Sequence, residues 1–147
     1  RWMDTFMDKL AQKLNAQEMI KANSAADAEE MDQLKNQLRE YDECLAQMQQ
    51  EDGAFLSWGA ESSESVSQVL VALTALGLSP DDARFVKNGQ TLEDVLLRFA
   101  QDDGSFAHTP EDGGNLLATT QAFYALTALQ RARDGKPTLY DMSDVTP

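Results

Sequence analysis

Two six-residue strings, Gln50-Glu51-Asp52-Gly53-Ala54-Phe55 and Gln101-Asp102-Asp103-Gly104-Ser105-Phe106, decide how this sequence folds. They share the pattern Gln-x-x-Gly-x-Phe and stand 51 residues apart. Further on, Gln68 and Ala72-Leu73-Thr74-Ala75-Leu76 align with Gln121 and Ala125-Leu126-Thr127-Ala128-Leu129 at an offset of 53. The difference of two fits an insertion in the second loop, around Glu111-Asp112-Gly113-Gly114. A period near 50 marks repetition of a supersecondary unit, read here as helix, Gly-containing loop, helix.

The motif has its own physical chemistry. Gly53 and Gly104 allow a tight turn where a side chain clashes or φ must be positive. Phe55 and Phe106 can fold back onto the hairpin, each burying on the order of 150–250 Å². Gln50 and Gln101, at the end of a helix, can donate to carbonyls that the helix leaves unpaired. These six residues are read as structural.

Outward from the turns, local signals place the remaining helices. Ser79-Pro80-Asp81-Asp82 reads as an N-cap, Pro at the first helical position and acids at the positive dipole end. That short helix is expected to stop at Asn88-Gly89. Thr91 caps the next helix, whose Leu92, Val95, Leu96 and Phe99 form one apolar face. A partner helix is expected over about residues 117–131, with Ala122, Phe123, Leu126 and Leu129 matching Val66, Val69, Leu70, Leu73 and Leu76 of the earlier repeat. Gly77 and Gly135 stand where a left-handed C-terminal residue is wanted.

The front third has a different character. Residues 1–50 contain no Gly and no Pro, so they predict nearly continuous helix. Met3, Phe6, Met7, Leu10 and Leu14 recur at helical spacing, and Ser24 with Asp27 resembles a capping box for a second helix. Met31, Leu34, Leu38, Tyr41, Leu45 and Met48 then step by 3, 4, 3, 4 and 3, an a/d seam suited to one partner helix. Under three heptads is short for an independent coiled coil, so an antiparallel helical hairpin is expected. No stretch alternates with period two. The chain reads as all-α, with a helical N-terminal segment over 1–48 and two repeats over 49–147.

Composition excludes several functions. The 147 residues can bury a sizeable core without metal or disulfide, and Cys44 is the only cysteine. Twelve Lys+Arg against 25 Asp+Glu give a net charge of −13, which disfavours nucleic acid and anionic membranes as partners. No apolar run approaches the length of a membrane span. The chain opens on Arg1 rather than Met, which predicts a fragment or a processed piece.

The paired Gln-x-x-Gly-x-Phe turns, each followed by a helix ending Ala-Leu-Thr-Ala-Leu, resemble the repeats of terpene cyclases and protein prenyltransferases. In that superfamily, helical hairpins close into an α/α toroid. The Phe at the aromatic position and Ser79-Pro80-Asp81 resemble its non-catalytic bacterial cell-surface branch, where such repeats occur with domains related to cobalamin carriers. Leu139 to Val145 resembles the segment that leaves the toroid. The resemblance covers about residues 45–147 and implies an extracellular or cell-surface setting. Residues 1–48 resemble an uncharacterised helical protein of Gram-positive anaerobes.

Against that family, each enzymatic reading meets a missing pattern. Protonation-type cyclases use Asp-x-Asp-Asp, which does not occur. Ionisation-type cyclases hold Mg²⁺ with Asp-Asp-x-x-Asp, and both Asp81-Asp82-Ala83-Arg84-Phe85 and Asp102-Asp103-Gly104-Ser105-Phe106 fail at the fifth position. Prenyltransferases bind zinc through Asp-x-Cys and a later His. Asp42, Cys44 and His108 supply the residue types, but Asp42 and Cys44 precede the Gly53 turn and point about 200° apart on a helix. The acids Asp102, Asp103, Glu111 and Asp112 lack EF-hand spacing for Ca²⁺. His108 reads as a solvated or loop-pinning residue. No catalytic, cofactor-binding or metal residue is therefore assigned.

The sequence reading is a non-enzymatic helical repeat module acting in protein–protein interaction or ligand binding. Repeats with uncovered ends need neighbours. The expected partner is protein: missing repeats, another chain or a second copy, with Met31, Leu34, Leu38 and Leu45 as candidate contacts. The alternatives are corrinoid or small hydrophobic ligand carriage in a parent protein, and a terpene cyclase or prenyltransferase fragment.

Overall fold

The structure is a computed structural model and describes residues 8–9, 11–13, 15–17, 28–57, 60–79, 81–141 and 143–146. Met3, Phe6, Met7, Leu10, Leu14, Ser24 and Asp27 of the expected front helices lie outside the described residues. The chain is predominantly helical and separates into two units, Arg1–Met48 and Gln49–Pro147.

In the first unit, residues 8–9, 11–13 and 15–17 are helical, and Lys13 and Ala16 are buried. Helix α1 runs over Ala28–Gln47. Its exposed face is polar and carries an i,i+4 pair between Arg39 and Glu43 at 4.0 Å. The backbones of Met31, Leu34, Leu38 and Leu45 lie on this helix, and their side chains are outside the described residues.

The second unit is built twice over. At the first turn Gln50 N–H donates to Ala54 O at 2.9 Å, and Gly53 N–H donates to Gln50 O at 3.0 Å. At the second, Gln101 N–H donates to Ser105 O at 2.8 Å, and Gly104 N–H donates to Gln101 O at 3.0 Å. Asp52 and Asp103 each accept from the N–H two residues on, at 3.1 and 3.0 Å. Gly53 has φ +88° and Gly104 φ +85°, a region that side chains make costly.

Each turn leads through an antiparallel pairing into a helix. In the first repeat, β1 (Leu56–Ser57) pairs with β2 (Ala60–Glu61), with Leu56 opposite Glu61. In the second, Ala107 bridges Gly114. Leu56 to Ala107 is an offset of 51 and Glu61 to Gly114 one of 53, so the two extra residues lie between Ala107 and Gly114. The strands were not expected, because two residues are too few to show alternation.

Helix α2 (Ser63–Ala75) is N-capped by Ser62, and α4 (Leu116–Arg133) by Asn115, each side chain accepting from the N–H three residues on. Both helices stop in the same way. Leu78 N–H reaches Leu73 O and Gly77 N–H reaches Thr74 O, while Lys136 reaches Arg131 O and Gly135 reaches Ala132 O. These are Schellman ends on glycines with φ +72° and +66°.

Between them the chain departs from expectation. The helix predicted from Ser79-Pro80 is a three-residue 3-10 turn, Ala83–Phe85, capped by Asp82 rather than Ser79. Ser79 Oγ instead accepts from Asp81 N–H at 3.3 Å, a local turn that competes with a helix start. Asn88 and Gly89 both have positive φ and join a Lys87–Gln90 bridge, so they form a hairpin turn and end no helix. Helix α3 (Leu92–Leu97) opens with a full capping box between Thr91 and Asp94. Its Leu92, Val95 and Leu96, with Phe99 just beyond, join Phe55, Phe85, Leu70 and Leu73 in the core.

Candidate functional site

Helices α2 and α4 are the most extensively packed pair of elements among the described residues. They run parallel and in register. Gln68 Nε2 donates to Gln121 Oε1 at 3.2 Å, bonding two residues that differ by the repeat offset of 53. One groove is lined by Ser67, Val71, Thr120 and Tyr124, and another by Thr74 and Gly77 with Ala128 and Ala132, so the C-terminal ends lie together. Ala118, Ala122 and Ala125 of α4 are fully buried, and Ala128 and Ala132 stand beside Thr74 and Gly77 at the end of α2. Small side chains let two helices approach closely along this seam.

Equal offset does not mean equal burial. Ser63, Ser67, Leu70, Val71 and Thr74 of α2 are buried. Their counterparts 53 residues on, Leu116, Thr120, Phe123, Tyr124 and Thr127, are exposed. Leu116 is 86% exposed and Phe123 55%, far too much for core positions. The expectation that Phe123 and Leu126 repeat the buried roles of Leu70 and Leu73 is corrected here: Phe123 is exposed and Leu126 half-buried. Steps of 4, 3, 1 and 3 put the exposed set on one face of α4. Phe123 meets the buried Phe106 edge-on, ring centroids 6.1 Å apart, so the middle of this face rests against a core ring.

The two turns differ in the same direction. The first is covered by the segment around α3. Gln49 Nε2 donates to Gly53 O at 2.9 Å and Phe85 O at 3.0 Å, Asn88 Nδ2 donates to Glu51 O at 2.8 Å, and Arg98 Nη2 donates to Asp52 O at 3.3 Å. A Cβ on Gly53 would stand 2.7 Å from Val95 Cγ2. At the second turn a Cβ on Gly104 meets nothing within 4 Å, and Asp102, Asp103 and Gly104 are exposed. Gln49 was not singled out from the sequence; Gln50 enters the turn through its backbone, and Gln101 Nε2 reaches Phe99 O at 3.4 Å.

The ionisable groups act as braces. His108 Nδ1 lies 2.9 Å from Glu64 Oε2, and Ser63 N–H and Oγ donate to His108 O and Ala107 O. His108 thus fastens the loop to the start of α2. Glu61 sits beside Asp52 and under Arg98. Burial pushes the Glu61 carboxyl up, and Asp52 adds to the rise. Burial acts upward on Asp52 too, but the Ala54 N–H, Glu61 and Arg98 outweigh it, leaving Asp52 below its ordinary value. Arg133 joins the end of α4 to Glu93 at 2.6 Å, and Arg131 donates to Pro137 O at 2.9 Å and pairs with Asp144.

Among the described residues no three His, Cys, Asp or Glu side chains gather as metal ligands, and no helix is long and apolar enough to cross a membrane. Asp103 is engaged with Ser105, and Asp112 with Thr109. A groove of about 530 Å³ lies between the ends of α2 and α4. In comparison with known proteins, the chain matches no family model, no curated protein and no solved structure.

Proposed function

We propose that this chain is a non-enzymatic helical repeat module that acts by protein–protein interaction. The observation that carries the reading is the parallel, in-register pairing of α2 and α4 beside two turns with one hydrogen-bond pattern, left with an apolar face uncovered on α4. Quasi-one-dimensional repeats satisfy each unit through its neighbours, so an uncovered face is a binding face. The resemblance to terpene cyclase and prenyltransferase repeats adds an α/α-toroid architecture and a bacterial cell-surface setting to the proposal. Ligand carriage of the cobalamin-carrier kind is the second reading, supported by the groove of about 530 Å³ between the helix ends.

Incubation with farnesyl and geranylgeranyl diphosphate, with Mg²⁺ or Zn²⁺, tests the non-enzymatic reading; the expected result is no product. A parallel titration with cobalamin, followed by absorbance, is expected to show no shift. Turnover would replace the proposal with a cyclase or transferase, and a saturable shift would replace it with carriage.

A further inference from the structure

We infer that the exposed face of α4, together with the second turn, is a docking surface for one occupant: a further helical repeat unit of the same construction. Its inner helix would lie parallel to α4 with a stripe of small residues against it. The inference rests on reading the second unit as a repeat module.

The internal repeat supplies the template. What α4 does to α2, the occupant does to α4. Ser63, Ser67, Leu70 and Thr74 of α2 are buried, as is the alanine stripe of α4, and Thr74 shares a groove with Ala128; the equivalent face of α4 carries Leu116, Thr120, Phe123 and Thr127 exposed, with Tyr140 beside Thr120 and Tyr124. Gln121 already accepts from Gln68, and its own amide group stands level with the next Gln in such a series. A second, separate part of the molecule gives the same direction. The first turn receives Asn88 and Arg98 on its carbonyls, and Arg98 also reaches Asp52 Oδ2 at 3.9 Å. The second turn presents Asp102 and Asp103 to solvent, so the occupant is expected to bring a cation there. Charge agrees with this, since a chain of net charge −13 attracts a basic rim.

A second copy of the chain does not fit this geometry. The small-residue stripe needed by the occupant is Ala118, Ala122 and Ala125, and in this chain that stripe is already buried. A two-fold dimer would place Phe123 against its own mate in antiparallel helices, a different contact.

The experiment expands the repeat. Residues 77–129 are duplicated directly after Leu129, so that the first copy of α4 meets the same Gly77 junction that follows Leu76 in the native chain. Hydroxyl-radical footprinting then reads Phe123 and Tyr124 in each copy. The expected result is protection of both residues in the first copy by about five-fold or more relative to the native chain, with the second copy as reactive as before. Arg98→Glu in the second copy, opposite Asp103 of the first, is expected to return part of that reactivity. First-copy residues that stay as reactive as in the native chain overturn the inference, and so does an added copy that gains no helical circular dichroism. A native dimer abolished by Phe123→Asp overturns it in favour of self-association. Turnover of a prenyl diphosphate would remove the functional reading and leave this footprint unchanged, so the two failures are distinguishable.

Discussion

Gly53 and Gly104 show how one backbone conformation can stand in two environments. Both need positive φ, so alanine at either position costs about 1–2 kcal/mol from left-handed strain. At Gly53 the new methyl also meets Val95 Cγ2 at 2.7 Å, an overpacking cost of about 1–3 kcal/mol more. Gly53→Ala is therefore expected to lower stability in urea well beyond Gly104→Ala; equal losses would contradict the burial of the first turn. The motif announced the turns because Gln, Gly and Phe recur at fixed offsets; the Asp52 and Asp103 bonds within them came from the structure. The motif did not announce Gln49, whose value comes from Phe85, a residue 36 positions away. Long-range partners of this kind leave no local signature.

At the level of elements, the helix ends were the most legible features. Thr91 as a cap, and Gly77 and Gly135 as left-handed stops, follow from rules that act within one turn, and the structure adds Asp94 as the second half of a capping box. Ser79-Pro80 misled for a related reason. Several cap-like residues in a row compete, and the start moved to Asp82, which accepts from Arg84 N–H and holds its guanidinium. The caps of the two inner helices lend themselves to measurement. Asn115→Ala removes the acceptor for Ala118 N–H and is expected to cost about 1 kcal/mol in thermal or urea unfolding. Asn115→Ser, which keeps an acceptor, is expected to restore most of it. The open face of α4 was not legible. Identical repeat patterns imply identical faces, whereas burial depends on how many neighbours are present.

For the whole molecule, acid is the informative variable. The hydrogen bond and charge of Arg131 hold Asp144 below its ordinary value of 3.8. Bonds from Thr91 do the same for Asp94, and bonds from Ser105 for Asp103. A depressed carboxyl stabilises the fold above the unfolded value, and that contribution is lost as pH falls below 3.8 through the folded one. Glu61, raised mainly by burial, works the other way: its ionisation above the ordinary 4.5 disfavours the fold. The melting temperature is expected to drop steeply below pH 3.8, and Arg131→Gln to make that drop shallower. An unchanged slope in the variant would remove the Arg131–Asp144 brace from the account.

Helices α2 and α4 lie side by side, pointing the same way, level at the repeat offset. Nuclear Overhauser spectroscopy of the intact chain measures this directly. Cross-peaks are expected from the Gln68 side-chain amide to the Gln121 side chain, and from Thr74 methyl protons to Ala128. Cross-peaks joining Gln68 to Ala132 and Thr74 to Thr120 instead would mean antiparallel helices, and would contradict it.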